Sequence, residues 1–126
     1  KITPNDMAIK DYEILVKGLD SCCDAFVINI SSPNTPNLRD LQSESFINEL
    51  FAALSSLTKK PLILKIAPDM SIDSAISLCS TAANAGFKGL IINNTSVDYS
   101  LTPKAKDFGG ISGQLIKNKS KEVLYG

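Results

Sequence analysis

Residues 25–36 have the sequence AFVINISSPNTP, in which an apolar run passes directly into amides, hydroxyls and a proline turn. Because apolar residues dominate 25–30 without alternating with polar ones, they predict a strand that is buried on both faces, as in a parallel sheet. Polar groups are costly in a core unless they have partners. Their clustering at a strand end indicates either a ligand site or a tightly bonded turn, since Ser, Pro and Asn are also ordinary turn residues.

Helical and strand patterns alternate along the rest of the chain. Helices are predicted over about residues 6–19, 46–57, 72–85 and 115–125, and further strands over 62–66 and 89–93. In the third helix Ser71 is the expected N-cap and Gly86 the expected C-terminal glycine. Its expected buried stripe consists of Ile72, Ala75, Ile76, Cys79, Ala82 and Ala83.

This order of elements predicts an α/β fold with a parallel sheet and right-handed crossovers. The sheet could belong to an open doubly wound domain or to part of a (β/α)8 TIM barrel. A dinucleotide-binding open sheet needs a glycine-rich turn after its first strand, and Ser31-Ser32-Pro33-Asn34 is not such a turn.

The composition excludes several classes of function. The 126 residues include 13 basic and 13 acidic side chains, so the net charge is zero and the basic surface of a nucleic-acid binder is not expected. The apolar runs are far shorter than the ~20 residues of a membrane helix. The chain has no histidine, which removes His-dependent nucleophiles and the usual zinc sites from this segment. The three cysteines have no CxxC spacing and are expected to be reduced, mostly structural thiols.

All three predicted strands carry polar groups at their carboxyl ends. Parallel strands bring these ends together, and barrel enzymes assemble their active sites at that face. The groups are Asn29, Ser32 and Asn34 at the end of the first strand, Lys65 in the second, and Asn93, Asn94 and Thr95 at the end of the third.

Lys65 is the most informative of these residues because apolar neighbours flank it on both sides. A buried ammonium needs an anion or a lowered pKa. It could fix a negative charge on a cofactor or substrate, or form a Schiff base as an aldolase nucleophile. A lone strand lysine can also be an edge residue, so a non-catalytic α/β scaffold remains a third possibility.

Four motifs in order resemble the dihydroorotate dehydrogenase family. They are Asn29 to Pro36 with Leu38-Arg39, Lys65-Ile66-Ala67-Pro68-Asp69, Asn94-Thr95, and Gly109-Gly110-Ile111-Ser112-Gly113. The resemblance implies an FMN-containing (β/α)8 barrel that oxidises dihydroorotate to orotate in pyrimidine biosynthesis. Serine at position 32 is similar to the membrane-associated, quinone-reducing branch, because the soluble branches usually have cysteine there.

The resemblance also implies roles for individual residues. Ser32 would be the catalytic base that removes the proton from C5 of dihydroorotate. The residues implied to bind FMN are Asn29, Lys65, Asn93 and Gly113, and those implied to bind substrate are Asn29, Asn34, Asn94 and Thr95. Lys65 would neutralise charge on the reduced flavin. Asn93 departs from the family pattern, which commonly has threonine there.

A complete barrel takes about 250 residues, so we expect residues 1–126 to be the central segment of a single FMN-binding barrel domain. The quinone would then react through regions outside the segment, and membrane association would depend on an N-terminal element outside it. The full-length enzyme is expected at the cytoplasmic face of a bacterial inner membrane or in the mitochondrial inner membrane. Because exposed strand edges favour association, the isolated segment is expected to be soluble or aggregation-prone, to bind FMN weakly or not at all, and to have no turnover.

Overall fold

The computed structural model describes residues 3–32, 39, 42–102 and 108–125. In these ranges three β-strands alternate with four α-helices. The strands are β1 (Phe26–Asn29), β2 (Leu62–Ile66) and β3 (Gly89–Ile92), and the helices are α1 (Ala8–Leu19), α2 (Glu44–Ser55), α3 (Ile72–Ala85) and α4 (Lys117–Tyr125). The predicted α/β order is confirmed, and β2 has the predicted bounds.

The three strands form one parallel sheet in the order β1-β2-β3. Alternate strand residues, such as Ile28 and Leu64, are buried in a core with α2 and α3. The register pairs Asn29 with Lys65 and Lys65 with Ile91. Paired residues on parallel strands point to the same side, so Asn29 and Lys65 belong to the sheet face opposite the helical core.

The prediction that β1 is buried on both faces is wrong for the described residues. Phe26 and Ile28 are buried, but Val27 between them is 50% exposed. The described helices pack against one face of the sheet, and Val27 points to the other. That second face is the one that forms the packed interior when such a sheet closes into a barrel.

Both predicted ends of α3 are confirmed. The Ser71 side chain accepts a hydrogen bond from the Ser74 amide at 3.1 Å, which caps the first turn. Gly86 ends the helix with φ of 118°, where a residue with a side chain would be strained. A Cβ at Gly86 would also lie 2.6 Å from the Phe51 ring, so glycine allows α2 and α3 to approach closely here.

The predicted buried stripe of α3 is only partly correct. Ala75 and Ala82 are buried as expected, together with Leu78, which the stripe did not include. Ile72 and Ile76 are 43% and 42% exposed and Ala83 is exposed, because α3 packs through the line of Ala75, Leu78 and Ala82. The apolar residues of α3 extend around more of the helix than the core covers.

Cys22 is exposed, whereas Cys23 and Cys79 are partly buried. Cys22, Cys23 and Cys79 are free thiols, and burial raises the pKa of Cys79. Among the described residues, no helix is long and apolar enough to cross a membrane.

Candidate functional site

The carboxyl ends of β1, β2 and β3 are joined by direct hydrogen bonds. The Asn94 backbone N–H donates to the Ile66 backbone carbonyl at 2.9 Å, and the Asn94 side-chain nitrogen donates to Ser31 Oγ at 3.1 Å. Ser31 Oγ in turn donates to Asn29 Oδ1 at 2.8 Å. The predicted convergence of polar groups from distant parts of the chain is therefore present in the structure.

Asn29 is held from two sides. Its Oδ1 accepts from the Ser31 amide at 3.1 Å, and its backbone carbonyl accepts from the Tyr12 hydroxyl of α1 at 3.0 Å. Burial, with a smaller contribution from the charge of Asp11, raises the pKa of Tyr12 to about 12, so this hydroxyl stays a donor at neutral pH. The side-chain nitrogen of Asn29 donates to none of the described residues.

A cavity of about 410 Å³ opens at this end of the sheet. Its volume falls within the range of roughly 300–1,000 Å³ typical of small-molecule sites. The lining includes Lys65 from β2, Asn93, Asn94 and Thr95 after β3, Ser112, Gly113 and Ile116 from the segment that leads into α4, and Ser120 from α4 itself. The described part of the chain contains no cluster of His, Cys, Asp or Glu side chains suited to a metal ion.

Several polar atoms at the cavity have no partner among the residues that the structure describes. The side-chain nitrogen of Asn93 and Oγ1 of Thr95 are buried there without a hydrogen bond from this part of the chain. The Lys65 ammonium has no hydrogen bond or ion pair with any residue that the structure describes. Since buried polar groups are almost always satisfied in folded proteins, the Asn93 and Thr95 atoms indicate a polar ligand that forms hydrogen bonds. Lys65 is only partly buried, and its ammonium beside them favours a ligand with negative charge.

The glycine motif packs directly on this cavity. Ser96 and Ile111 form an antiparallel bridge with N–H···O distances of 2.9 and 2.7 Å, which brings residues 109–113 against the end of β3. A Cβ on Gly110 would lie 1.9 Å from Thr95 Oγ1, so glycine is needed for this approach. Gly113 has φ of 74° and lines the cavity with its backbone.

The structure brings together most of the residues singled out in the sequence. Asn29 and Asn94 share one hydrogen-bonded network, while Lys65, Asn93, Asn94, Thr95 and Gly113 line the cavity. Ser32 is partly exposed and directly follows the buried Ser31 at the end of β1. Asn34 lies outside the described residues.

Sequence reasoning missed the roles of Tyr12, Ser31, Arg39 and Asp69. Ser31 is fully buried and links Asn29 to Asn94, yet its sequence neighbourhood resembles a turn. Arg39 and Asp69 lie within recognised motifs, but no local pattern shows that they meet. Their NH1···Oδ2 distance is 2.6 Å across 30 positions of sequence.

Arg39 connects the loops that follow all three strands. Its Nε donates to the Ser31 carbonyl at 3.1 Å, and its NH2 donates to the Thr95 carbonyl at 2.7 Å. Asp69 also accepts from Ser96 Oγ at 2.5 Å, from the Val97 amide at 2.8 Å and from Lys119 at 3.1 Å. We call these two residues the Arg39–Asp69 pair.

The Asp69 carboxylate gives the fold a dependence on acid pH. Burial raises the pKa of Asp69, but the hydrogen bonds from Ser96, Val97, Lys119 and Arg39 together outweigh it and hold the pKa below its usual value. The unfolded chain then binds the proton more tightly than the folded chain, so the stability that Asp69 contributes is present above about pH 4 and decreases as pH falls further.

We expect Asp69→Asn to lower the free energy of unfolding most at neutral pH, with a difference from the parent that shrinks between about pH 4 and pH 3. Urea unfolding of the parent protein and the variant across this pH range measures the difference in their free energies of unfolding. The contributions of the other carboxylates are common to both proteins and cancel in the comparison. A difference that stays constant down to pH 3 would contradict the assignment.

Comparison with known proteins agrees with this architecture. The family model for dihydroorotate dehydrogenase matches residues 1–126. A protein of a Nitratiruptor species named dihydroorotate dehydrogenase (quinone) is 62% identical over 98% of this chain and 35% of its own length. A protein of the same name from a Sulfurovum species is 54% identical over the same shares.

Solved structures give the same result at the level of the fold. The ligand-free DHODH from Eimeria tenella superimposes with a TM-score of 0.83 and 26% identity, covering 98% of this chain and 40% of that one. The DHODH–ferulenol complex from the same organism superimposes with a TM-score of 0.83 and 27% sequence identity. The match covers 98% of this chain and 39% of that one.

The alternation of parallel strands and helices, with a site at the strands' carboxyl ends, is that of part of a (β/α)8 barrel enzyme, as predicted. The chain belongs to the dihydroorotate dehydrogenase family. It spans about 35% of the length of the curated relatives, whose quinone designation agrees with the branch that Ser32 indicates.

Proposed function

We propose that the full-length protein containing this chain oxidises dihydroorotate to orotate in pyrimidine biosynthesis, with FMN as the bound cofactor and a quinone as the final electron acceptor. The observation that carries the proposal is the cavity at the strand ends. In a chain of this family, that cavity presents unpartnered polar atoms of Lys65, Asn93 and Thr95.

The donors at the cavity fit a flavin. Bound FMN would supply the acceptor for the two electrons that leave the substrate. The rim of an isoalloxazine ring carries carbonyl and ring-nitrogen acceptors, which suits the unpaired nitrogen of Asn93. Lys65 places an ammonium where negative charge develops, and the backbone of Gly113 leaves room for close approach. Asn29 is the fourth residue that we assign to the cofactor.

The substrate groups are proposed on the same rim. Dihydroorotate has a cyclic imide edge that offers donors and acceptors together, which a carboxamide can match. Asn29 retains a side-chain nitrogen for it, and Thr95 retains a buried hydroxyl. The Asn94 carboxamide is oriented by its bonds to Ser31 Oγ and to the Thr95 amide, at 3.1 and 2.8 Å. Asn34, outside the described residues, completes the proposed set.

Ser32 is proposed as the base. Its hydroxyl takes the proton from C5 of dihydroorotate while a hydride leaves C6, so that the new C5–C6 double bond forms as two electrons and two hydrogens depart. A serine hydroxyl is a weak base unless a neighbour accepts its proton, and the chain has no histidine for this. We propose a path through Thr35, outside the described residues, or through an ordered water.

The quinone would be reduced through parts of the protein outside these 126 residues. Membrane association is likewise assigned to an N-terminal element outside them. We place the full-length enzyme at the cytoplasmic face of a bacterial inner membrane or at the mitochondrial inner membrane, where a membrane-dissolved quinone is accessible.

Anaerobic bleaching tests the function as a whole. We expect the purified full-length protein to be yellow, to lose its flavin absorbance on addition of dihydroorotate with formation of one orotate per flavin, and to regain it with a short-chain quinone. Protein without flavin, or flavin that dihydroorotate does not bleach, would contradict the oxidation. Reoxidation by NAD⁺ but not by quinone would contradict the acceptor.

A further inference from the structure

The guanidinium of Arg39 lies next to the proposed site without lining it. Arg39 borders a different cavity, together with Gln42, Asp69 and Met70, and is absent from the cavity lined by Lys65 and Gly113. Its side chain is only 19% exposed. Arg39 is therefore placed to act on the site through the loops that it binds.

The two carbonyls that Arg39 contacts belong to peptide units next to proposed site residues. The Ser31 carbonyl is part of the peptide that joins Ser31 to Ser32, and the Thr95 carbonyl is part of the peptide that joins Thr95 to Ser96. Because a peptide unit is planar, a bond to its oxygen fixes the orientation of the whole unit. Arg39 thus orients the backbone at both Ser32 and Thr95.

Asp69 holds the guanidinium in the plane needed for these contacts. It binds NH1 of Arg39 at 2.6 Å and also ties down Ser96 and Val97, which directly follow Thr95. Only the planar fork of arginine can satisfy three such partners in different directions, since a lysine ammonium is a compact charge without that geometry.

We propose that Arg39 is a positioning residue for flavin reduction. It holds the backbone at Ser32 in register with the backbone at Thr95. The inference rests on the function proposed above. A misplacement of about 1 Å in a reacting group can slow a step about 100-fold, so loss of this register affects the step that uses Ser32 more than it affects cofactor binding.

The test uses Arg39→Lys in the full-length protein. The lysine keeps the positive charge beside Asp69 but cannot bind both carbonyls. We expect flavin reduction by dihydroorotate in stopped flow to slow about 100-fold. FMN stoichiometry and the rate of reoxidation by quinone are expected to match the parent, because Lys65, Asn93 and Gly113 are unchanged.

Lys60→Met is the matched control at the opposite end of the sheet. Lys60 donates to the Cys23 carbonyl at 2.5 Å and so also ties two loops together. This variant should reduce its flavin at the parental rate even if its unfolding temperature falls as far as that of Arg39→Lys.

Three results with Arg39→Lys would contradict the inference. Parental reduction kinetics in Arg39→Lys would overturn it, and so would loss of FMN or equal slowing of both half-reactions, which would show a general structural role. If the parent itself binds FMN but is not bleached by dihydroorotate, the proposed function fails, and the inference fails with it.

Discussion

Replacing Ser32 with alanine is expected to slow flavin reduction by dihydroorotate by about 100- to 10,000-fold, the usual contribution of a positioned general base. Ser32 directly follows Ser31, whose buried hydroxyl fixes the end of β1 through Asn29 and Asn94. The substitution removes the proposed proton acceptor and keeps the Ser31, Asn29 and Asn94 side chains. Anaerobic stopped-flow reduction of the full-length protein measures the effect, and FMN content and reoxidation by quinone should stay at parental values.

Ser80→Ala supplies the control for this experiment. Ser80 is an exposed serine of α3 that does not line the candidate cavity, so its loss should leave both half-reactions unchanged. Near-parental flavin reduction in Ser32→Ala would eliminate Ser32 as the base.

Replacing Lys65 with methionine is expected to lower the flavin midpoint potential by roughly 30–65 mV, a range that follows from the strength of a charged hydrogen bond. The Lys65 ammonium is unpartnered among the described residues at the cavity, and a hydrogen bond to a charged group contributes about 1.5–3 kcal/mol. For a two-electron couple about 1.4 kcal/mol corresponds to about 30 mV, which gives this range. Methionine keeps an unbranched stem in β2, so the sheet itself should be preserved.

Lys88→Met is the matched control for the Lys65 substitution. Lys88 is exposed and directly precedes β3, at the amino end of the sheet. Its removal changes the net charge equally but leaves the cavity intact, and the potential should stay at the parental value. Equal potentials in Lys65→Met and the parent, measured by redox titration with both holding FMN, would show that the ammonium does not face the flavin.

Much of the fold follows from local sequence patterns. The bounds of β2, the Ser71 cap and the Gly86 terminus were all predictable, because each depends on residues adjacent in the chain. The meeting of Asn29, Lys65 and Asn94 was also predictable, since parallel strands necessarily bring their carboxyl ends to one edge. Pattern and topology together therefore located the candidate site.

The parts that could not be predicted depend on contacts between distant residues. An apolar run such as β1 indicates two buried faces, whereas Val27 shows that the described helices cover only one. The Arg39–Asp69 pair joins side chains 30 positions apart, and the sequence around either residue does not identify the other as its partner. Ser31 is fully buried whereas its neighbour Ser32 is partly exposed, a difference that a turn-like sequence does not reveal.

A crystal structure of the full-length protein with FMN and orotate bound is the most direct measurement. It should show Lys65 and Gly113 against the flavin, Asn94 and Thr95 against orotate, and Ser32 Oγ within about 3.5 Å of C5, near-attack distance. Flavin bound elsewhere, or Ser32 and Lys65 facing different ligands, would contradict a single site built from the three strand ends.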